Sequence, residues 1–154
     1  MVNEGDLVPD VTLVSVEGKK ISPADFRSQK LVLYFYPKDD TSGCTAEAQA
    51  FSGLADAFED ANTWVLGISK DDAKKHAKFI DKYDLKVQLA SDADGSVCEA
   101  FGTWIEKSMY GRKYMGIDRA TFLIDRDGKV QKVWRKVKVP GHADEVLEAA
   151  RALP

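Results

Sequence analysis

Two cysteines, Cys44 and Cys98, and two histidines, His76 and His142, are the only thiols and imidazoles in the chain. A cysteine does nucleophilic chemistry as the thiolate, and the thiolate needs positive potential nearby. The segment Tyr36-Pro37-Lys38-Asp39-Asp40-Thr41-Ser42-Gly43-Cys44 is arranged to supply it. An apolar run ends, a polar turn follows, and a helical pattern opens with Cys44 in its first turn. The first N–H groups of a helix have no intrahelical partner and carry partial positive charge. An ordinary thiol, with a pKa of about 8.5, is only a few per cent ionised at pH 7, and lowering it by roughly two units makes most of it thiolate. Thr41 or Ser42 suits the helix cap; with Thr41 as cap, Cys44 is the third helical residue, beside the capping bond. Cys44 also stands four residues before Ala48 and seven before Phe51, on the apolar stripe, so its sulfur is expected in a partly shielded hollow. A cysteine so placed also suits a packed, inert role, and position alone leaves both readings open.

The elements that must hold this segment follow from periodicity. Val11–Val16, Leu31–Tyr36, Trp64–Ile68 and Val87–Ala90 read as strands, and the second has the unbroken apolar character of a strand covered on both faces. Ala48, Phe51, Leu54, Ala55 and Phe58 make one helical stripe over about Gly43–Asp60. Asp71–Tyr83 is a helix with Phe79, Ile80 and Tyr83 inward, and Gly95–Phe101 a short one. Ala120–Ile124 and Val130–Val137 are strands joined by the turn Asp125-Arg126-Asp127-Gly128, and a helix from about His142 to Leu153 closes the chain. Alternation of strand and helix with a late antiparallel hairpin predicts an α/β sandwich, a mixed central sheet flanked by helices. Pattern alone leaves a thioredoxin-like and a flavodoxin-like arrangement both open.

Composition narrows the function classes. At 154 residues the chain is expected to be one domain, residues 1–154. Its net charge of −3 lacks the basic field of a nucleic-acid binder. The most basic stretch, Lys129–Lys138, reads as a solvated strand near a sheet edge. No apolar run approaches the length of a membrane span, and the N-terminus lacks a signal-peptide pattern, so the expected location is cytoplasmic. Two cysteines are too few for a disulfide framework, and no His/Cys spacing suggests a metal. His76 and His142 read as ordinary helix residues, and Trp64, Trp104 and Trp134 as core or pocket-wall aromatics.

Pro37-x-x-x-Thr41-x-x-Cys44 resembles the active-site motif of the peroxiredoxins. The surrounding YFYPKDDTSGCTAEA, with Asp92–Gly102, Trp104–Asp125 and the turn Asp127–Lys129, is similar to the bacterioferritin comigratory protein subgroup, also called PrxQ. The resemblance covers nearly the whole chain. It implies a thioredoxin-like fold and a peroxidase that reduces hydrogen peroxide and alkyl hydroperoxides through a sulfenic acid on Cys44. It implies that Cys44 is the peroxidatic nucleophile, that Thr41 offers a hydroxyl to sulfur or peroxide, that Pro37 shields the thiolate, and that Arg119 stabilises thiolate and transition state with Glu47 holding the arginine. It implies no metal, haem or flavin cofactor, a thiol reductant such as thioredoxin, glutaredoxin or a small thiol, a role in antioxidant defence and redox homeostasis, and a monomer.

The chain departs from the subgroup at two places. Ser42 stands where proline is usual, and both suit a helix start. Gln49 stands five positions after Cys44, where many members carry the resolving cysteine. Cys98 or an outside thiol must then finish the cycle. Val97, Cys98 and Phe101 are spaced as a helix core face, so the reading favours a one-cysteine cycle with an external thiol. A dithiol oxidoreductase would need Cys-x-x-Cys, and Cys44 is followed by Thr45, Ala46 and Glu47. A redox sensor or holdase on the same scaffold, without sustained turnover, is the alternative.

Overall fold

Six consecutive residues, Lys30–Phe35, are all buried, and they run through the interior of a seven-stranded sheet. The computed structural model describes residues 1–154. In chain order the strands are β1 (Leu13–Ser15), β2 (Lys20–Ile21), β3 (Lys30–Phe35), β4 (Thr63–Ser69), β5 (Gln88–Ser91), β6 (Trp104–Met109), β7 (Arg112–Ile117), β8 (Ala120–Ile124) and β9 (Val130–Trp134). The helices are α1 (Ser42–Gly53), α2 (Ala55–Asp60), α3 (Ala73–Tyr83), α4 (Ser96–Phe101) and α5 (His142–Ala152). The main sheet has the order β2-β1-β5-β4-β3-β8-β9, and β6 and β7 form a separate hairpin. β3, β4 and β5 are parallel, while β8 lies antiparallel to β3 and β9 to β8. This is the mixed sheet with helices on both faces that the alternation predicts.

Side chains of a strand alternate between faces, and β3 sorts the interior accordingly. Leu31, Leu33 and Phe35 enter one core with Ile68, Val97, Cys98, Phe101 and Phe122. Val32, Tyr34 and Tyr36 enter the other with Cys44, Phe51, Phe58, Phe79, Val146 and Leu147. Helices α1, α2, α3 and α5 therefore cover one face, and α4 the other. Tyr34 is sandwiched in the second core, stacked on Phe51 at 4.6 Å and Tyr36 at 5.6 Å between ring centres.

The structure corrects several boundaries. The single helix expected over Gly43–Asp60 is two, broken at Leu54, whose φ and ψ are −104° and 9°. Gly53 is a weak helix former, and Ser52 just before it accepts hydrogen bonds from the Lys86 and Val87 N–H groups at 3.0 and 3.2 Å, tying the helix end to the next layer. Periodicity assigned nothing to the β6–β7 hairpin. Its turn, Tyr110-Gly111, has positive φ at both residues, 53° and 78°, the conformation of a tight hairpin turn usually marked by Asn-Gly or Asp-Gly. β9 ends at Trp134 rather than Val137, because Lys136 turns to a φ of 50°. The basic stretch does lie on an edge strand. Of the two readings for Trp64, the pocket wall holds: it lines a surface groove and is 36% exposed, edge-on to Phe26, with its indole N–H donated to Gln29. No helix is long and apolar enough to cross a membrane.

Packing leaves one residue no alternative. A Cβ on Gly67 of β4 would lie 2.6 Å from a Tyr34 ring carbon and 2.7 Å from a Leu89 methyl. Gly67→Ala must push a fully buried ring, and overpacking of that kind costs about 1–3 kcal/mol. The expected outcome is a lower urea midpoint with an unchanged slope. A midpoint equal to wild type would contradict this packing.

Candidate active site

The chemistry is positioned by the passage from β3 to α1. Tyr36 still donates its N–H across to Ile68, at 3.0 Å, and then the chain leaves the sheet. Asp40 takes a φ of 59° to turn it. Thr41 is the helix cap, with extended φ and ψ of −101° and 155°, and its carbonyl accepts the Thr45 N–H at 2.8 Å. Cys44 is thus the third helical residue, as the spacing predicts. The capping bond expected from the Thr41 side chain is absent. Its hydroxyl turns back and donates to the Lys38 carbonyl at 2.9 Å. That uses the hydroxyl hydrogen and leaves the oxygen lone pairs to accept.

Cys44 is buried, 2% exposed, more deeply than a partly shielded hollow implies. The shield is the core itself, where Cys44 clusters with Tyr34, Tyr36, Ala48 and Phe51. Pro37, expected to cover the sulfur, is exposed in the turn. Its ring fixes the backbone where the chain leaves the sheet.

Arg119 immediately precedes β8 and is the nearest cation to the thiol. Its Nη2 donates to Cys44 Sγ at 3.4 Å, and its Nη1 donates to Glu47 Oε1 at 2.7 Å. The paired acid is therefore Glu47, not the adjacent Asp118. Cys44 and Glu47 are three apart on α1, so both project from one helix face toward one guanidinium. A Cβ on Gly43 would lie 3.1 Å from Arg119 Nη2, so a residue without a side chain gives the guanidinium its room over the first helical turn. The backbone around Arg119 is tied on both sides: Asp118 N–H donates to the Thr103 carbonyl at 2.7 Å, and Val137 N–H to the Arg119 carbonyl at 2.9 Å.

The electrostatics of the pair pull in opposite directions. Burial pushes the Glu47 carboxyl up to about 7, against the attraction of Arg119. Burial would lower Arg119, but the charges of Glu47 and Cys44 outweigh it and hold the guanidinium above its ordinary value. Arg119 is thus a fixed cation. Glu47 is a carboxyl held by one strong contact in a poorly solvated place, and its Oε2 has no partner.

The other thiol is remote. Cys98 lies in α4, fully buried among Phe35, Phe101 and Phe122, and its backbone N–H donates to Asp92 Oδ2 at 2.8 Å. Burial, reinforced by Asp92, pushes its thiol well above the ordinary range. The two cysteines belong to the two cores that the sheet separates. Gln49 is exposed on α1. A groove of about 560 Å³ lined by residues such as Gln29, Phe58, Trp64 and Val87 contains none of Thr41, Cys44, Glu47 and Arg119.

Both histidines are more deeply placed than ordinary helix residues. His142 is buried and pairs through Nε2 with the Thr121 hydroxyl at 2.8 Å. His76 is completely buried and lies 2.7 Å from Asp39. The signal for His76 was in the sequence: it precedes Phe79 by three residues and Ile80 by four, on the apolar face of α3.

Comparison with known proteins accords with this geometry. Residues 5–133 match the AhpC/TSA family. A putative peroxiredoxin Bcp of Coxiella burnetii is 47% identical over 95% of this chain and 97% of its own length, and the peroxiredoxin Bcp of Escherichia coli K12 is 43% identical over 93% and 92%. Among solved structures, a cysteine-to-serine mutant of Xylella fastidiosa PrxQ superposes with a TM-score of 0.93 at 40% identity, covering 99% of this chain and 97% of that one. The Xanthomonas campestris bacterioferritin comigratory protein, studied for its alkyl peroxide reduction activity, gives 0.89 at 41% identity over 96% of both chains. A cysteine at a helix start under an arginine fork, on a thioredoxin-like sheet and with these relatives along its length, places the chain in the AhpC/TSA family, among the Bcp (PrxQ) peroxiredoxins, which are thiol-dependent peroxidases.

Proposed function

We propose that Cys44 is the peroxidatic nucleophile and that the enzyme works by a one-cysteine cycle with an external thiol. The observation that carries the first part is the Arg119 fork, with one arm on the sulfur at 3.4 Å and the other on Glu47 at 2.7 Å. The Cys44 thiolate attacks the terminal oxygen of hydrogen peroxide or an alkyl hydroperoxide. The S–O bond forms as the O–O bond breaks. Sulfur is oxidised to the sulfenic acid, which keeps the hydroxyl hydrogen, and the leaving oxygen takes up a proton to become water or an alcohol. Charge moves from sulfur onto the leaving oxygen, so donors fixed in place lower the barrier. Arg119 Nη2 and the unpaired Cys44 N–H in the first helical turn are such donors. The Thr41 oxygen, its hydrogen already committed to Lys38, is free to accept the peroxide O–H and orient it. Pro37 starts the turn that carries these groups.

Return to the thiolate needs two electrons. One external thiol condenses with the sulfenic acid, releasing water and leaving a mixed disulfide, and a second thiol displaces Cys44. Gln49 offers no sulfur, and Cys98 lies in the core across the sheet from Cys44. Both favour an outside reductant, whether thioredoxin, glutaredoxin or a small thiol, acting on a cytoplasmic monomer.

Hydrogen peroxide consumption with dithiothreitol, and separately with thioredoxin, tests this reading. Cys44→Ser is expected to lose turnover with either donor, and Cys98→Ser to keep it with both. Loss of thioredoxin-supported turnover in Cys98→Ser would defeat the one-cysteine cycle, and full activity in Cys44→Ser would defeat the whole reading. Arg119→Met removes a transition-state donor and is expected to lower the rate of Cys44 oxidation roughly 10²–10³-fold, read by stopped-flow mixing with peroxide; an unchanged rate would remove Arg119 from the chemistry. Glu47 yields a stability prediction. Its folded value of about 7 lies above the ordinary 4.5, so the folded state holds this proton where the unfolded chain has released it. Stability from this group is present below about 4.5 and is lost as pH rises to about 7. Glu47→Gln is expected to flatten the fall in urea midpoint between those pH values; an identical slope in the variant would contradict the assignment.

A further inference from the structure

Beneath the turn that carries Thr41 lies a buried polar cluster that the chemistry above does not use. His76 of α3 places Nδ1 2.7 Å from Asp39 Oδ2 and Nε2 3.1 Å from the Ala90 carbonyl oxygen of β5. The other Asp39 oxygen accepts the Tyr36 hydroxyl at 2.5 Å. The Asp39 N–H donates to Asp71 Oδ2 at 2.8 Å, and that oxygen also accepts the Ser69 hydroxyl at 2.7 Å. Burial, with Tyr34 and Asp39 acting in the same direction, keeps the Tyr36 proton on its oxygen, so Tyr36 serves Asp39 as a donor.

Both ring nitrogens of His76 face acceptors. One ring nitrogen meets the Ala90 carbonyl and the other shares a proton with the Asp39 carboxyl, so the ring is held from both sides. The charged and titratable groups around it are Asp39 from the turn, Tyr36 at the end of β3 and, through the Asp39 N–H, Asp71 after β4; from β5 it meets the neutral Ala90 carbonyl. A polar pair so deeply buried is a poor way to gain stability, because desolvation offsets most of the attraction. What such a pair does supply is orientation. Asp39 is two residues before Thr41 and five before Cys44, and the same helix grips the next residue from outside: Lys82 and Tyr83 donate to Asp40 at 2.8 and 2.6 Å. That outer tether is exposed and open to salt screening, and the inner one is not.

We propose that His76 is a positioning residue for peroxide reduction: its buried imidazole clamps Asp39, and through Asp39 it fixes the turn that aims Thr41 and the start of α1 at the peroxide. The proposal rests on the roles given above to Cys44 and Thr41. His76 touches neither sulfur nor peroxide, so its effect is on alignment. A clamp of this kind matters for attack on an O–O bond, which needs sulfur, acceptor and donors in register. It matters much less for alkylation of the same sulfur, which needs only an accessible thiolate.

The test measures two rates at Cys44 in each variant at one pH: oxidation by hydrogen peroxide in the stopped flow, and alkylation by iodoacetamide followed at that residue by mass spectrometry. His76→Leu and Asp39→Asn are expected to slow oxidation on the order of 10–100-fold, the scale of a displacement of roughly 1 Å, while alkylation keeps nearly its wild-type rate. Phe101→Leu, which perturbs the opposite core, is the stability control and is expected to change neither rate. Should His76→Leu not fold, Asp39→Asn carries the comparison. Folded variants that react with peroxide as fast as wild type, or in which oxidation and alkylation fall together, would overturn the proposal. Wild-type protein whose Cys44 alkylates but is not oxidised would overturn the peroxidatic reading beneath it as well.

Discussion

One guanidinium shared between a sulfur and a carboxylate is the constraint around which this site is arranged. Arg119 must reach across the first turn of α1, so Gly43 leaves its path open. It must be charged, and Glu47 keeps it so at 2.7 Å. It must not follow solvent, so the backbone on either side is tied to Thr103 and Val137. Glu47 in turn is an anion that burial disfavours. The arrangement works as a unit: without Arg119 the Glu47 carboxyl loses its one partner, and without Glu47 the guanidinium loses the acid that holds it over the sulfur. A site under such mutual constraint is oriented before the substrate arrives, and this is the condition under which fixed donors speed a reaction.

The sheet supplies the second constraint. Because β3 sends alternate side chains to opposite faces, the interior is two cores with little in common. Cys44 is in the core that opens toward a helix start, a positive end and an arginine. Cys98 is in the core closed by Phe35, Phe101 and Phe122, beside an acid, in surroundings that keep a thiol protonated. The same residue type therefore sits beside a guanidinium on one face and beside a carboxylate in an apolar core on the other, and the difference is one of environment.

Local pattern carried much of this into the sequence. The apolar run at β3, the stripe on α1 and the placement of Cys44 three residues past a threonine are all local, and all are found where periodicity puts them. The partner of Arg119 is not local: Glu47 lies far up the chain, and only the β7–β8 junction folding over α1 brings them together. The family resemblance, not the spacing, pointed to that pair. The tight turn at Tyr110-Gly111 hid because tyrosine is an unusual occupant of a positive φ. The break at Leu54 hid because the apolar stripe continues through it, so hydrophobic spacing reads one helix where hydrogen bonding makes two. Of the two caps the sequence allows, Thr41 and Ser42, the helix uses Thr41, but its hydroxyl bonds backward to Lys38, a choice between two nearby partners that composition does not decide.

In the proposed cycle Cys44 takes the oxidation and no second sulfur of this chain relieves it. The most direct measurement is mass spectrometry of the protein after one equivalent of hydrogen peroxide, with dimedone present to trap sulfenic acid. The expected result is a dimedone adduct on Cys44 and an unmodified, reduced Cys98. A Cys44–Cys98 disulfide in high yield, or an adduct on Cys98 with Cys44 untouched, would contradict it.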